Sequence, residues 1–273
     1  MTRSWPFPWP EEKVERWRAL RVAEPITVDG RLDEPAWQRA PRSPRFRDMV
    51  HGTETVHGTE VAVLWDAEHL YVGFWVEEPF VEARVTERDD LVYNDNDVEL
   101  FVAGPDAYYE LEINALGTIY EALFVWSDAY RASGFDALPG LAPGTEGHQP
   151  FDGVGLNHPR GRREGFFRWD LPGLRAAVAV DGTLNDSSDR DRGWTAEIAV
   201  PWQSLGVLTH GHDGIALPPR PGDVWRIDAS RFNTYRAAPP AEDSGGWVWS
   251  PHGVWDSHVP ELFTQVEIGD DLV

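Results

Sequence analysis

No cysteine occurs in the 273 residues, which excludes disulfides, thiolate catalysis, iron–sulfur clusters and cysteine-bound zinc, and leaves the redox compartment undefined. Basic residues are scarce as well. Lys and Arg number 24 against 46 Asp and Glu, for a formal charge of −22 and a pI near 4.6. Nucleic acid and anionic membrane surfaces both need a basic footprint, so neither is expected as a partner. The remaining partners are neutral sugars, cations such as Ca²⁺, or simply water around a soluble acidic surface. No run approaches the roughly 18 apolar residues of a membrane span. The segment from Met1 to Leu20 alternates Trp and Pro with charge instead of presenting a hydrophobic signal core. The chain as written carries no export signal, so the expectation is cytoplasmic if it is complete and secreted if a signal has been removed.

What the sequence has in abundance is aromatic surface. Aromatics are 12% of residues and 14 of them are Trp, enough to fill a large core and leave rings near the surface. Surplus surface Trp points to a ligand.

From Ile26 onward, short runs rich in Val, Ile, Trp, Tyr and Phe are punctuated by Gly, Pro, Asn and Asp, which predicts a mainly β fold. The expected strands are Val61 to Trp65, Leu70 to Val76, Val98 to Val102, Tyr108 to Asn114, Thr118 to Trp126, Ala176 to Val180, Trp194 to Val200, Val224 to Asn233 and Phe263 to Ile268. Two packed antiparallel sheets, an immunoglobulin-like or jelly-roll-like β-sandwich, would close this set. A helix is expected over Glu11 to Arg21, where Val14, Trp17 and Leu20 fall on one stripe. Residues 1–23 then form an N-terminal extension and 24–273 a single domain. Between Ser127 and Arg168 the sequence turns to Gly, Pro, His and Arg without periodicity, and a long loop, a candidate lid, is expected there.

The most informative stretch runs from Asn94 to Asn114. A period of two puts Val98, Leu100 and Val102 on one face and Asp97, Glu99 and Phe101 on the other. In the next run Tyr109, Leu111 and Ile113 share a face opposite Tyr108, Glu110, Glu112 and Asn114. If the two pair, carboxylates cluster on one sheet face beside Tyr93. Two readings are open: a solvated outer face, or a site for a polyhydroxylated ligand whose hydroxyls meet carboxylates and whose C–H faces meet rings.

Several segments in order carry a family resemblance. Ile26-Thr27-Val28-Asp29-Gly30-Arg31-Leu32-Asp33-Glu34-Pro35-Ala36-Trp37 resembles the opening of family 9 carbohydrate-binding modules, and Val63-Leu64-Trp65-Asp66 with Leu70-Tyr71-Val72 resembles their first hairpin. Asn96-Asp97-Val98-Glu99-Leu100-Phe101, Gly193-Trp194-Thr195-Ala196-Glu197 through Pro201-Trp202, and Trp247-Val248-Trp249-Ser250-Pro251 with His258 to Glu261 are similar to later family segments. The resemblance spans roughly residues 24 to 270. It implies a sandwich that holds sugars between two aromatic rings, with structural Ca²⁺ in some members. On this chain the first ring falls on Tyr93, where the module usually has Trp, the second on Trp255 with Trp249 as the alternative, and the hydrogen-bonding glutamate on Glu99. Glu110 stands where a sugar-binding arginine is expected. An acidic acceptor in place of a cationic donor changes what the site can satisfy, and the ligand is expected to differ accordingly.

The leading expectation is therefore a non-catalytic carbohydrate-binding domain, with Tyr93, Glu99, Glu110, Asn114, Trp249 and Trp255 as ligand-binding candidates. The alternative is a glycoside-processing enzyme that pairs Glu99 with Glu112 or Glu197. A haem relative is disfavoured, because Met1, Met49 and Lys13 are the only Met and Lys residues available as axial ligands. The histidines lack zinc spacing, His210-Gly211-His212 apart. No cofactor is required by this reading. Ca²⁺ is a candidate at Asp95 and Asp97 in Asn94-Asp95-Asn96-Asp97, or in Asn185 to Asp191, because both loops offer hard oxygen ligands. The same residue types also build ordinary turns. Oligomeric state is not legible.

Overall fold

The computed structural model describes residues 5–234 and 245–273. Met1 and the rest of the first four residues of the expected extension lie outside them.

Strands follow the alternating runs: β1 Arg16–Arg21, β2 Arg47–Asp48, β3 Thr59–Trp65, β4 His69–Glu77, β5 Asp97–Ala103, β6 Ala107–Asn114, β7 Ile119–Trp126, β8 His148–Phe151, β9 Arg163–Phe166, β10 Arg175–Asp181, β11 Gly193–Pro201, β12 Val224–Asn233, β13 Gly245–Val248 and β14 Thr264–Leu272. Hydrogen bonding runs in the order β10-β11-β4-β3-β1-β14-β12-β5-β6-β7-β9-β8, with β13 joining β12 to β2. The path folds over on itself as a β-sandwich. Val61, Val63, Val72 and Ile198 from one half meet Val98, Leu100, Leu111, Leu123 and Ile227 from the other in a single buried cluster. Apolar burial at every second residue of both layers is what holds the layers together.

Three details depart from the sequence-based picture. The segment Glu11 to Arg21 is not a helix. A single 3-10 turn covers Glu11–Lys13, and the chain then extends into β1, parallel to both β14 and β3. Arg16 and Arg18 alternate with Trp17 and Ala19, a period of two that competes with the helical stripe, and two open strand edges decide between them. The sandwich is consequently mixed rather than purely antiparallel. The segment from Ser127 to Arg168 is not a structureless loop either. It forms a short helix Ser127–Tyr130, a 3-10 turn Phe135–Ala137 and the hairpin β8–β9, which extends the sheet from β7. Phe135, Leu141 and Phe166 anchor it in the core, so it serves as a wall and not as a free lid.

The family-like motifs converge on one buried network. Glu197 on β11 accepts hydrogen bonds from Trp37 Nε1 at 2.8 Å and from the Asp29 and Gly30 backbone N–H groups at 2.9 and 3.1 Å. Gly30 is required there, since it adopts φ +86° and a Cβ would stand 2.5 Å from the Val178 backbone. Glu197 therefore clips the opening loop to the sheet, far from Glu99 in the fold's connectivity.

Candidate functional site

The register places the carboxylates together. Glu99 lies opposite Glu112 and Phe101 opposite Glu110 across β5–β6, Glu112 opposite Tyr120 across β6–β7, and Glu99 opposite Ser230 across β12–β5. Directly opposed residues share a face. With Val98, Leu100, Leu111 and Ile113 committed to the core, this set turns to the other side of the layer. There Glu99, Glu110, Glu112 and Tyr120 line a cavity of about 670 Å³ together with Tyr93, Phe151, Val154, Phe232 and Trp255.

That face is not the half-wet surface the alternation suggested. Asp97, Glu99, Glu110 and Glu112 are all buried, because the β8–β9 segment and the loop carrying Trp255 to His258 cover them. Asp256 fastens these two covers to each other. Its Oδ2 accepts the Val154, Gly155 and Leu156 backbone N–H groups at 2.9–3.0 Å, and its Oδ1 accepts that of His258 at 2.9 Å. Arg163, fully buried, donates to the carbonyls of Asp152 and His258 and lies 4.6 Å over the Trp126 ring. His258 packs against Phe151 and Phe124 at 4.5 and 5.0 Å and sits 3.7 Å from Glu110. Burial, with Arg163 and His252 adding to it against the pull of Asp256, pushes its imidazole down to about 3. It is neutral at pH 7.

Two rings stay open to solvent in this otherwise closed face. Tyr93 is 48% exposed and stands edge-on to Tyr120 at 5.9 Å, and Trp255 is 46% exposed and stands edge-on to Phe232 at 5.4 Å. Gly246 on β13 allows the Trp255 ring its position, because a Cβ there would come within 2.8 Å of it. Two such rings on the wall of one cavity offer apolar faces that a ligand's C–H surface can meet.

The floor is electrostatically crowded. Burial and then Glu99 push Asp97 well above the usual carboxylate range, and burial raises Glu99 to about 7 although Ser230 and Ser257 hydrogen-bond to it. Glu110 is pushed up by burial and by Glu99 and Asp256, and Glu112 by burial and by Glu110, Asp97 and Glu99. Asp97, Glu99 and Glu112 each bring a carboxylate oxygen within 4.8 Å of the others. Asp97 Oδ2 and Glu112 Oε2 have no hydrogen-bond partner.

Not every candidate from the sequence reaches this cavity. Trp249 lies in the core, edge-on to Trp17 at 5.7 Å, and is held just past the end of β13 by its backbone N–H, which donates to the Ala229 carbonyl at 2.9 Å. Asn114 is consumed by the turn it closes: its amide donates to Val85 O and Asp95 Oδ2, and its Oδ1 accepts the Leu116 and Thr118 N–H groups. Asp95 Oδ2 accepts the Arg84 and Val85 N–H groups as well as the Asn114 amide, which fits a loop brace better than an ion ligand. Asp191 and Asn185 are likewise tied to the backbone around Val81 and Ala83, so the second loop offers no open ligand set from them. Asp97 alone of the metal candidates faces other carboxylates. Conversely, Tyr120, Phe232, Ser257 and Asp256 went unpredicted. Tyr120 was recoverable from strand alternation, whereas the others depend on a loop crossing and a third strand.

A second cavity, of about 600 Å³, lies between Arg31, Arg45, Glu77 and Arg192. Arg45 pairs with Glu77 at 3.6 Å and Arg192 with Asp181 at 3.3 Å there, and its two rings, Trp75 and Trp194, are engaged, Trp75 beneath the Arg42 guanidinium at 3.9 Å and Trp194 through its Nε1 donating to Glu78 at 2.7 Å.

Residues 53–124, which include β3 to β6 and most of the carboxylate floor, match the model of carbohydrate-binding family 9. No curated protein matches the chain. Among solved structures, a candidate carbohydrate-binding protein from Bacteroides uniformis is similar at 13% identity and TM-score 0.59, with 93% of this chain and 99% of that one covered. A family 9 module from Caldicellulosiruptor kristjanssonii in complex with cellotriose aligns at 10% identity and TM-score 0.52, over 93% of this chain and 94% of that one. The same organism's module in complex with glucose gives 10% and 0.51, over 93% and 96%. At such identities the likeness establishes the fold. Over residues 53–124 the chain is similar to carbohydrate-binding family 9, and over nearly its whole length it shares the sandwich fold of these solved structures.

Proposed function

We propose that the chain is a non-catalytic carbohydrate-binding domain whose ligand, a monosaccharide or the end of a chain, lies in the cavity between Tyr93 and Trp255. The observation that carries this reading is the combination of two exposed rings on the wall of one cavity with buried carboxylates at its floor. A pyranose presents C–H faces to rings and hydroxyl donors at its rim. Glu99, Glu110 and Glu112 supply acceptors, and Ser257 beside them can donate or accept. The cellotriose and glucose complexes of the similar modules support the same class of ligand.

Binding is favoured over hydrolysis by the placement of the acids. Glycoside cleavage uses two carboxyl groups that flank the scissile bond. Glu99 and Glu112 stand side by side on neighbouring strands beneath the cavity, and Glu197 is engaged in its own network with Trp37 and Gly30. No metal is required for stacking and hydrogen bonding. A Ca²⁺ reading moves from Asp95 to Asp97 with Glu99 and Glu112, and competes with the ligand for the same oxygens.

Isothermal titration against mono- and oligosaccharides, repeated with Trp255→Ala, tests the proposal. Absence of binding to every sugar would sink it.

A further inference from the structure

We infer that the ligand of this cavity carries a protonated amine, as an amino sugar does, and that Asp97, Glu99 and Glu112 receive the ammonium group. This deepens the carbohydrate reading above and rests on it.

The cluster provides three acceptor oxygens within 4.8 Å of one another, and an ammonium group provides three N–H donors on one atom. Three oxygens about 2.8–2.9 Å from a tetrahedral nitrogen stand roughly 4.6 Å apart, so the spacing suits it. Glu99 and Glu112 line the cavity, and in these residues and Asp97 beside them two oxygens, Asp97 Oδ2 and Glu112 Oε2, are buried and unpartnered, although buried polar atoms are normally satisfied. Among the described residues no arginine, lysine or histidine forms an ion pair with Asp97, Glu99 or Glu112. His258, whose imidazole is neutral at pH 7, stands 3.7 Å from Glu110 and supplies no charge, and Arg168 is exposed at the rim. A neutral hydroxyl donates one hydrogen bond to these oxygens, whereas an ammonium group donates three and brings the opposite charge that favours their ionised form.

The surroundings favour an amine over a bare metal ion. Ca²⁺ takes six to eight oxygens, but Asp97 Oδ1 is bonded to the Phe232 N–H and Glu99 Oε2 to Ser230 and Ser257. The strand carbonyls nearby are committed to the sheet. Tyr93, Tyr120, Phe232 and Trp255 line the same cavity. Ring faces attract a cation and also bury the carbon body that bears it. A metal ion has no such body.

Titration of the intact chain with glucosamine, galactosamine and mannosamine, each beside its parent hexose and its N-acetyl derivative, with and without Ca²⁺, tests the inference. At least one amine should bind at least tenfold tighter than both its neutral counterparts, without Ca²⁺, and Glu112→Gln should reduce that preference. Equal binding of amine and hexose overturns the ammonium site and leaves the carbohydrate reading standing. Binding of neutral hexoses only with Ca²⁺ assigns the cluster to the metal and overturns it too. Silence of the whole panel overturns both readings. Because the ligand panel is measured on the unmodified chain, a Glu112→Gln variant that fails to fold does not blunt the test.

Discussion

Glu99 on β5 and Glu112 on β6 stand directly opposite each other across an antiparallel pair, and both face the cavity beneath Tyr93 and Trp255. Like charges in that relation destabilise a sheet. Here the two acids are also buried with Asp97 beside them, so the fold tolerates a local conflict at the place where a ligand can resolve it.

Relief of that conflict should stabilise the free protein. Glu112→Gln replaces an acid whose ionisation burial and its neighbouring carboxyls oppose, and is expected to raise Tm by about 2–4 °C, equivalent to about 1 kcal/mol for a domain of this size. Thermal unfolding at neutral pH without ligand measures it. A lower Tm would show that the Glu112 carboxylate is satisfied in solution.

Trp255 should act on binding and hardly on stability. Its ring is 46% exposed and contacts Phe232 edge-on, so Trp255→Ala removes little core. Aromatic anchors at binding sites are worth about 2 kcal/mol or more, which corresponds to roughly 30-fold weaker binding. Titration calorimetry should show that loss while Tm moves by less than about 2 °C. Trp249→Ala should do the reverse, because that ring lies in the core.

Glu197 should behave as structure alone. Glu197→Ala strands the Trp37 indole N–H and two backbone N–H groups of the opening loop, which is expected to cost about 1–3 kcal/mol. Urea unfolding checks the loss. Ligand affinity of the folded fraction should equal that of the unmodified chain, and a selective loss of affinity would bring Glu197 back as a site residue.

Acid should weaken the junction between Glu261 and His158. Burial opposes the Glu261 charge, but the hydrogen bond and charge of His158, 2.9 Å away, outweigh it and hold the carboxyl below its ordinary 4.5. A carboxyl depressed in the folded state stabilises fully above its unfolded value, and that contribution disappears as pH falls through the folded value. Between roughly pH 5 and pH 3 the unfolding free energy should therefore fall more steeply for the unmodified chain than for Glu261→Gln. Parallel slopes in urea titrations across that range would remove Glu261 from the account.

Much of this architecture was legible in the residues. Alternation alone placed Val98, Leu100 and Leu111 on one face and Glu99, Glu110 and Glu112 on the other, because side-chain direction in a strand has a period of two whatever surrounds it. The ordered motifs around Asp29-Gly30, Trp37 and Glu197 pointed to the family fold, and they are the partners of one hydrogen-bond network. The absence of cysteine ruled out disulfides and thiolate chemistry by stoichiometry.

Other properties exist only once distant segments meet. Whether Glu11 to Arg21 coils or extends was decided by the open edges of β3 and β14, since the stripe of Val14, Trp17 and Leu20 and the alternation of Arg16 to Ala19 coexist in the same residues. Burial of the carboxylate face depended on Asp256 fastening the Trp255 loop to residues 154–156, a contact across about a hundred positions that no local period encodes. The same holds for which ring lines the cavity and which fills the core. Trp249 and Trp255 have similar surroundings in the sequence, but the Trp249 backbone bonds to Ala229 on β12 and its ring packs in the core, whereas Trp255 sits beside Asp256, which ties its loop to residues 154–156 at the mouth of the site. Local preference acts over a few residues, whereas burial is a property of the whole packed chain.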